Sequence, residues 1–417
     1  MKEQLRKDIV NNLQIKKFCA YGFLKNLKFF EPYLLIYLMR NGINLFQIGL
    51  LIAIKEIIVN IFEIPSGFIA DYFGRKKEMY FCFGFYIISF ILFFFTDTFM
   101  LAAFGMVFFG LGEAFRSGTH KAMIYTYLDS KKWQSEKAFV YGRTRSFALL
   151  GSAISNLLGI ILILSVPTDR YIFLFSIVPY LMDLFLIMSY DAFLDVSDKK
   201  QDISFKDMAK DVLKSFCINK KLRNILIEEG IAEGSFSYIK DLMQPILEMT
   251  IMGSGVLLIS SLSADDNLKV ILGLVYALMN LLGAYSSKKA YLLKGKKTSL
   301  TCLAIIHLAY AIACGILAIF SKHYLVVFVI YSVIYSLNSI RKPIFIDEID
   351  NNMDKSNRAT VISVTAQLKS LFLMIFAPLL GLIADTFGIG LVMMILCVVF
   401  TVTMPLLGGK SFRQGLS

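Results

Sequence analysis

Apolar stretches of about 20 residues follow one another along the whole chain, each long enough to cross a bilayer core of ~30 Å as a helix. No other feature narrows the possible folds so far. In lipid every backbone polar group must be satisfied inside its own segment or in a closed barrel. Runs of this length and number therefore predict an all-α polytopic membrane protein. The composition agrees: the 417 residues are 57% hydrophobic and 18% charged, whereas soluble domains are about a quarter charged. The N-terminal "MKEQLRKDIVNNLQIKK" is charged and lacks a small-residue cleavage site, so no cleaved signal peptide is expected.

A net charge of +12 would suit a nucleic-acid partner, but its distribution argues for none. Lys and Arg cluster in the N-terminal tail, at Arg75–Lys77, Lys131–Lys137, Lys199–Arg223, Lys288–Lys297 and Lys355–Arg358. Nearly uncharged links such as "TDTFM" and "ADTFG" alternate with them. That alternation is the positive-inside bias. It predicts both termini cytoplasmic and a multi-pass protein of the cell (plasma) membrane. Six scattered cysteines and three distant histidines lack disulfide or metal-ligand spacing. No metal site is expected.

Twelve spans are placed at 18–39, 45–70, 78–97, 99–126, 138–165, 170–190, 224–248, 268–288, 299–320, 323–346, 359–385 and 387–408. A polar, Lys-rich stretch separates six from six. The expected organisation is an N-terminal bundle over 1–190, a cytoplasmic linker over 191–222 and a C-terminal bundle over 223–417. Within the linker, "DISFKDMAKDVLKSF" has the pattern of an amphipathic surface helix. The halves look related. His120–Ala138 lies over Arg341–Ala359 without a gap, pairing Lys121 with Lys342 and Asp129 with Asp350. The same shift sets Gly74-Arg75-Lys76 over Gly295-Lys296-Lys297, and "LKNL" matches "IKDL" nearby. Together these predict a parallel duplication of six spans. The second half carries an insertion over 251–267, which either lengthens span 7 or lies at the outer surface. "GLIADTFG" (Gly381–Gly388) echoes "GFIADYFG" (Gly67–Gly74) but sits on the opposite side, outside the repeat.

Gly67, Asp71, Gly74, Arg75 and Lys76 fit G-x-x-x-D-x-x-G-R-K. This resembles the signature between spans 2 and 3 of the major facilitator superfamily. Twelve spans, a long central loop and duplicated halves extend the resemblance over nearly the whole chain. The wider form E-x-P-x-x-x-x-x-D-x-x-x-R-K, with Glu63 and Pro65, resembles the variant in clostridial tetracycline exporters. The family implies two six-helix bundles working by alternating access about a midplane cavity. In the motif, Asp71 would meet the positive N-terminal end of span 11. Arg75 and Lys76 would reach Asp129 at the end of span 4, and these contacts would gate the cytoplasmic side.

Charged residues inside spans cost at least ~2.5–3.5 kcal/mol each near the centre, so those retained mark function. Span 1 carries Lys25, Lys28 and Glu31-Pro32; span 2 carries Gly49, Ala53, Glu56, Asn60, Glu63 and Gly67 at helical spacing. Span 4 carries Glu113, Arg116 and His120; span 7 carries Glu229, Glu233, Ser237, Lys240 and Gln244; Asn280 and Asn338 add spans 8 and 10. These six spans line the cavity in the family, and no such stripe is read on spans 3, 6, 9 or 12. Lys25 and Lys240, matched by the repeat, would attract an anionic or zwitterionic group. Buried Glu56, Glu63 or Glu113 would carry protons. Aromatic richness is read as mostly lipid-facing Phe. Span 5 offers Gly151, Ser155 and Gly159 as a close-packing face, without the Gly-Pro of the family's exporters.

The expected function is secondary active transport, as proton-coupled export of a small amphiphilic drug or metabolite, tetracycline-like in the motif's terms. It needs no cofactor; the proton gradient supplies the energy. Its partners would be a small-molecule substrate, protons and the lipid bilayer, with the protein a monomer. Uptake of a small organic anion is the alternative, and a non-transporting receptor on the same fold is the alternative of another class. An enzyme is not expected: HExxH, GxSxG, a Cys/His cluster and a phosphate loop are all absent from the sequence.

Overall fold

Pro32 decides the shape of the first span. The computed structural model describes residues 2–195, 220–290, 292, 298–352 and 358–407, and their regular secondary structure is helical throughout. After α1 (Lys2–Asn11), span 1 is divided into α2 (Leu13–Lys25) and α3 (Leu34–Arg40). Proline has no N–H to donate and its ring clashes with the carbonyl four residues back, while the preceding residue is pushed out of helical geometry. Residues 26–33 are accordingly a chain of turns. The expected helical stripe Lys25–Lys28–Glu31 is thereby corrected: Lys25 ends α2, whereas Lys28 and Glu31 sit in the break. Span 4 is broken too, into α6 (Phe99–Arg116) and α7 (Thr119–Ser130). Gly118 there takes φ +79, a conformation costly for any residue with a Cβ.

The remaining helices match the expected spans. They are α4 (Leu45–Phe73), α5 (Arg75–Phe94), α8 (Lys137–Leu164), α9 (Tyr171–Met188), α10 (Lys220–Ser254), α11 (Ala264–Lys288), α12 (Ser299–Phe320), α13 (Tyr324–Asn352), α14 (Arg358–Phe387) and α15 (Ile389–Thr403). Among the described residues, ten segments are long and apolar enough to cross a membrane. The two other expected spans miss that measure for plain reasons: span 1 is broken, and α10 carries Glu228, Glu229, Glu233, Lys240, Asp241 and Glu248. The amphipathic pattern read in the linker lies outside the described residues.

The chain forms two compact units: residues 1–43, 54–201 and 269–277, and residues 44–53, 202–268 and 278–417. In the first unit α5 packs on α6 and α9, and α2 on α8. Its core is aromatic. Phe83, Tyr86, Phe90, Phe93, Phe173 and Tyr180 are fully buried, and Tyr180 meets Phe90 edge-on at 4.9 Å. Such pairs add about 0.5–1.5 kcal/mol beyond the area they bury. Part of the aromatic content thus packs inside the unit, on α5 and α9, beside exposed Phe81, Phe104 and Phe185. On α8, a Cβ at Gly151 would lie 2.4 Å from the Phe23 carbonyl oxygen, so the small-residue face read there packs backbone to backbone on α2.

In the second unit α10 packs on α13 and α14, and α12 on α13 and α15. The first turns of α4 belong to this unit. A Cβ at Gly49 would stand 2.3 Å from the Ala377 oxygen, and one at Gly381 equally close to the Leu45 oxygen. Just beyond, Asp385 accepts from the backbone N–H groups of Leu45 (3.1 Å) and Phe46 (2.7 Å). A carboxylate thus occupies the positive end of α4. "GLIADTFG" has a structural job: Gly381 permits a close approach to α4, and Asp385 then caps that helix. Of the two things left open for the 251–267 insertion, the structure shows the first. The insertion lengthens α10 to Ser254, then forms turns tied by Asn267, whose side chain bonds Ile259, Leu262 and Ser263.

Candidate functional site

In the first unit the predicted charges converge on Glu113. Gly112 leaves room for the Tyr86 ring, which a Cβ would meet at 2.9 Å. Tyr86 Oη then donates to Glu113 Oε1 at 2.6 Å. Arg116 Nη2, one turn on, donates to Oε2 at 2.6 Å. Lys28 Nζ reaches Oε1 at 4.0 Å from the span 1 break and lies 5.7 Å from the centre of the Phe109 ring. Lys25, 8% exposed, lies within electrostatic reach of Glu113, Arg116 and Lys28. One carboxylate therefore faces two cations, Lys28 and Arg116, with the Lys25 amine buried nearby. Lys28 and Glu113 each keep 22% of their side-chain surface open and Arg116 31%, so the cluster is reachable. Irregular backbone at membrane depth is tolerated where it lines such a polar site, and the Pro32 break supplies it.

His120 lies past the Gly118 break. It stacks on Tyr21 at 3.6 Å and its Nε2 is 3.0 Å from Tyr190 Oη. It shares no bond with Glu113 or Arg116 among the described contacts, which corrects the single helical stripe expected on span 4. On α4, Glu56 is buried beside Lys55 at 2.9 Å, Asn60 donates to the Glu56 carbonyl, and Glu63 accepts from Ser117 at 3.1 Å. Gly67 is exposed, with nothing near its Cβ position. Glu31 in the break is half-buried.

In the motif after span 2, Lys76 makes different contacts from those expected. Gly74 takes φ +99, and a Cβ there would collide with Asp195 at 2.4 Å. Asp195 Oδ1 accepts from the Lys76 backbone N–H at 2.9 Å, capping α5. Lys76 Nζ donates to the carbonyls of Met188 and Tyr190, Arg75 donates to Thr126 at 2.7 Å, and Asp129 pairs with Lys137 at 3.1 Å. The correction has a physical reason. Asp195 holds the start of α5 so that Lys76 points at the end of α9, away from Asp129. The side chain of Asp71 lies outside the described residues.

In the second unit Glu229 meets Arg341 at 2.8 Å and Glu233 meets Lys342 at 3.5 Å. Asn338 accepts from Tyr310, Gln244 is buried, and Lys240 and Asn280 are half-buried. Sequence reasoning missed several residues. Spans 3, 6 and 9 do carry buried polar groups: Glu78, which accepts from Thr119 at 2.6 Å, Asp183, fully buried, and His307, bonded to Glu228 and Thr403. Single polar residues make no stripe, so periodicity could not find them.

The chain matches the profile of the Major Facilitator Superfamily over residues 18–375. The chain belongs to the major facilitator superfamily. A curated relative, an uncharacterized MFS-type transporter of Bacillus subtilis (strain 168), YxaM, is 28% identical over 240 residues, 55% of this chain and 58% of that protein. The chain thus spans under two thirds of that relative's length. Among solved structures, a mutant of the nucleoside transporter NupG aligns with TM-score 0.79 at 11% identity, covering 95% of this chain and 98% of that one. A bacterial homologue of the human lysosomal transporter Spinster, inward-facing and occupied, gives 0.71 at 12% identity, covering 94% and 95%. At such identities these neighbours establish the major facilitator fold of this membrane protein, with its twelve spans in two bundles. The family is not one of enzymes.

Proposed function

We propose that the chain is a secondary active transporter working by alternating access, and that its substrate is a small amphiphile bearing an anionic or zwitterionic group. The observation that carries this is the cluster around Glu113. Two cations, Lys28 and Arg116, held against one carboxylate leave an excess of positive charge, reachable and backed by aromatic rings. A negative group on the substrate competes with Glu113 for Lys28 and Arg116, and charged hydrogen bonds of about 1.5–3 kcal/mol each are exchanged rather than lost. The resemblance of the Glu63–Lys76 motif to tetracycline exporters supports export as the direction. Tetracycline is the first probe, being amphiphilic and zwitterionic. Protons are the proposed coupling ion, because buried carboxylates face cations in both units. The relatives' names, one a nucleoside transporter and one a lysosomal transporter homologue, add small organic solutes to the panel.

The test is equilibrium binding to the purified full chain. Tetracycline, a set of small organic anions and a set of nucleosides are titrated in turn. Binding that weakens about tenfold in Lys28→Ala and Arg116→Ala supports the site. Tight binding indifferent to both substitutions places the substrate elsewhere. The uptake alternative is favoured by the same cations; flux direction in sealed vesicles separates it from export.

A further inference from the structure

A cavity of about 420 Å³ opens in the first unit between α2 and α8. That volume falls within the ~300–1,000 Å³ of small-molecule sites. The two helices run parallel and touch at glycines. A Cβ at Gly22 would lie 2.9 Å from the Thr144 oxygen, one at Gly151 2.4 Å from the Phe23 oxygen, and one at Gly159 3.2 Å from the Phe29 oxygen. The cavity lies beside this line of contact, and the same ends of both helices meet in it.

Its charge is confined to one end. Lys16 and Arg143 line it there, within the first two turns of α2 and α8. Lys16 is exposed and Arg143 half-buried. The Arg143 guanidinium lies 5.6 Å from the centre of the Phe147 ring and is close enough to interact with the Cys19 thiol, so its charge is held in the cavity. Among the described residues no acid lines the cavity, and neither cation has an acid partner there. The rest of the lining is apolar, with Phe23, Leu24, Phe147 and Leu150 its largest members.

The cavity opens towards lipid. Leu150, Leu157 and Ile161 stand seven and then four residues apart, on one face of α8, and are 51%, 48% and 62% exposed. Apolar side chains exposed at membrane depth meet acyl chains. The Glu113 cluster is elsewhere. Lys16 and Lys25 are nine residues apart, two and a half turns at 3.6 residues per turn, which sets them on opposite faces of α2. By the positive-inside bias the charged end faces the cytoplasm. Basic pockets between spans on that side suit anionic headgroups.

We infer that this cavity is a binding site for an anionic phospholipid. Its phosphate sits between Lys16 and Arg143, and the upper part of one acyl chain fills the apolar length past Phe23 and Leu150. The planar fork of Arg143 can take two phosphate oxygens, and Lys16 adds a point charge from the surface. A free anion would match only the charged end. A zwitterionic lipid would bring its own cation towards Lys16 and Arg143. An anionic lipid matches both ends. The inference does not depend on what the protein transports.

Photo-crosslinking of the purified full chain in detergent tests it. The probe is phosphatidylglycerol with a diazirine high on one acyl chain, and the labelled residues are mapped by mass spectrometry. Labels should gather on residues 19–24 and 143–150, the cavity lining. Unlabelled phosphatidylglycerol should remove them at about tenfold lower concentration than phosphatidylcholine with the same chains, the scale of one charged hydrogen bond. Lys16→Ala and Arg143→Ala should each cut the labelling about tenfold for the same reason. Lys131→Ala, which removes an exposed cation outside the cavity, should leave it unchanged. Should a cation variant not fold, Leu150→Trp fills the exposed edge of the cavity with both charges in place; loss of label supports the site and full label overturns it. Labels spread over the apolar surface, equal competition by the two lipids, or an equal fall in Lys131→Ala would overturn the inference. Displacement by inorganic phosphate as readily as by phosphatidylglycerol would also overturn it, in favour of a free anion.

Discussion

Glu113 is the residue on which the first unit's chemistry turns. Glu113→Gln removes the charge that occupies Lys28 and Arg116 while keeping most of the shape. Tetracycline should then bind about tenfold tighter, roughly 1.4 kcal/mol, while its transport slows because the competing anion that releases it is gone. Weaker binding in this variant would mean that Glu113 is itself a substrate contact. Arg341 offers a stability test. Leaving two buried carboxylates, Glu228 and Glu229, without the guanidinium they share costs about 3–5 kcal/mol, so Arg341→Met should lower thermal stability sharply. Arg341→Lys should recover only part of the loss, since an ammonium is a point charge and lacks the planar fork. The acids and bases of α4, α6 and α10 were legible in the sequence because they recur at helical spacing in apolar surroundings. Their partners were less so. Tyr86 and Lys55 belong to neighbouring positions that the stripe pattern does not include. His307 and Asp183 stand alone on apolar helices, where a single polar residue gives no period. Arg341 entered the sequence reading only as the first residue of the repeat Arg341–Ala359.

At the scale of elements, the two broken spans and the capped helix are the informative features. Pro32 was visible, but span 1 was read as one continuous helix; the second break at Gly118 was hidden, since one glycine in a helical run gives no sign of its φ. Pro32→Ala should allow α2 to continue towards α3. Stability should hold or rise, and tetracycline binding should weaken as Lys28 is carried away from Glu113. Unchanged binding would show that the break does not position Lys28. The capping of α4 by Asp385 makes a second prediction. Asp385→Ala should cost about 1 kcal/mol, as for other lost caps. Gly49→Leu should cost about 1–3 kcal/mol by forcing a side chain into the Ala377 backbone. Thermal unfolding in detergent measures both. The likeness between "GLIADTFG" and "GFIADYFG" was readable as letters, but Asp385 caps a helix 340 residues away in sequence, and no local pattern reveals such a partner.

At the scale of the whole molecule, fold class was the easiest property to read. Bilayer thickness fixes span length, and the positive-inside bias fixes a consistent order, so twelve spans follow from two independent constraints. The family profile and the solved neighbours agree with the fold class. What the molecule moves was the hardest property to read, because a polar site at membrane depth is built from residues of many helices whose faces meet only in the folded chain. The excess positive charge around Glu113 is the claim on which the proposed activity stands. Its most direct test is tetracycline flux in proteoliposomes containing the full chain, with and without an imposed pH gradient, compared with Lys28→Ala and Glu113→Gln. Concentrative flux that follows the gradient in the native chain and falls at least tenfold in both variants is the predicted result. Binding of tetracycline or an organic anion without any flux, under either gradient, would contradict the account and make this chain a receptor on a transporter fold.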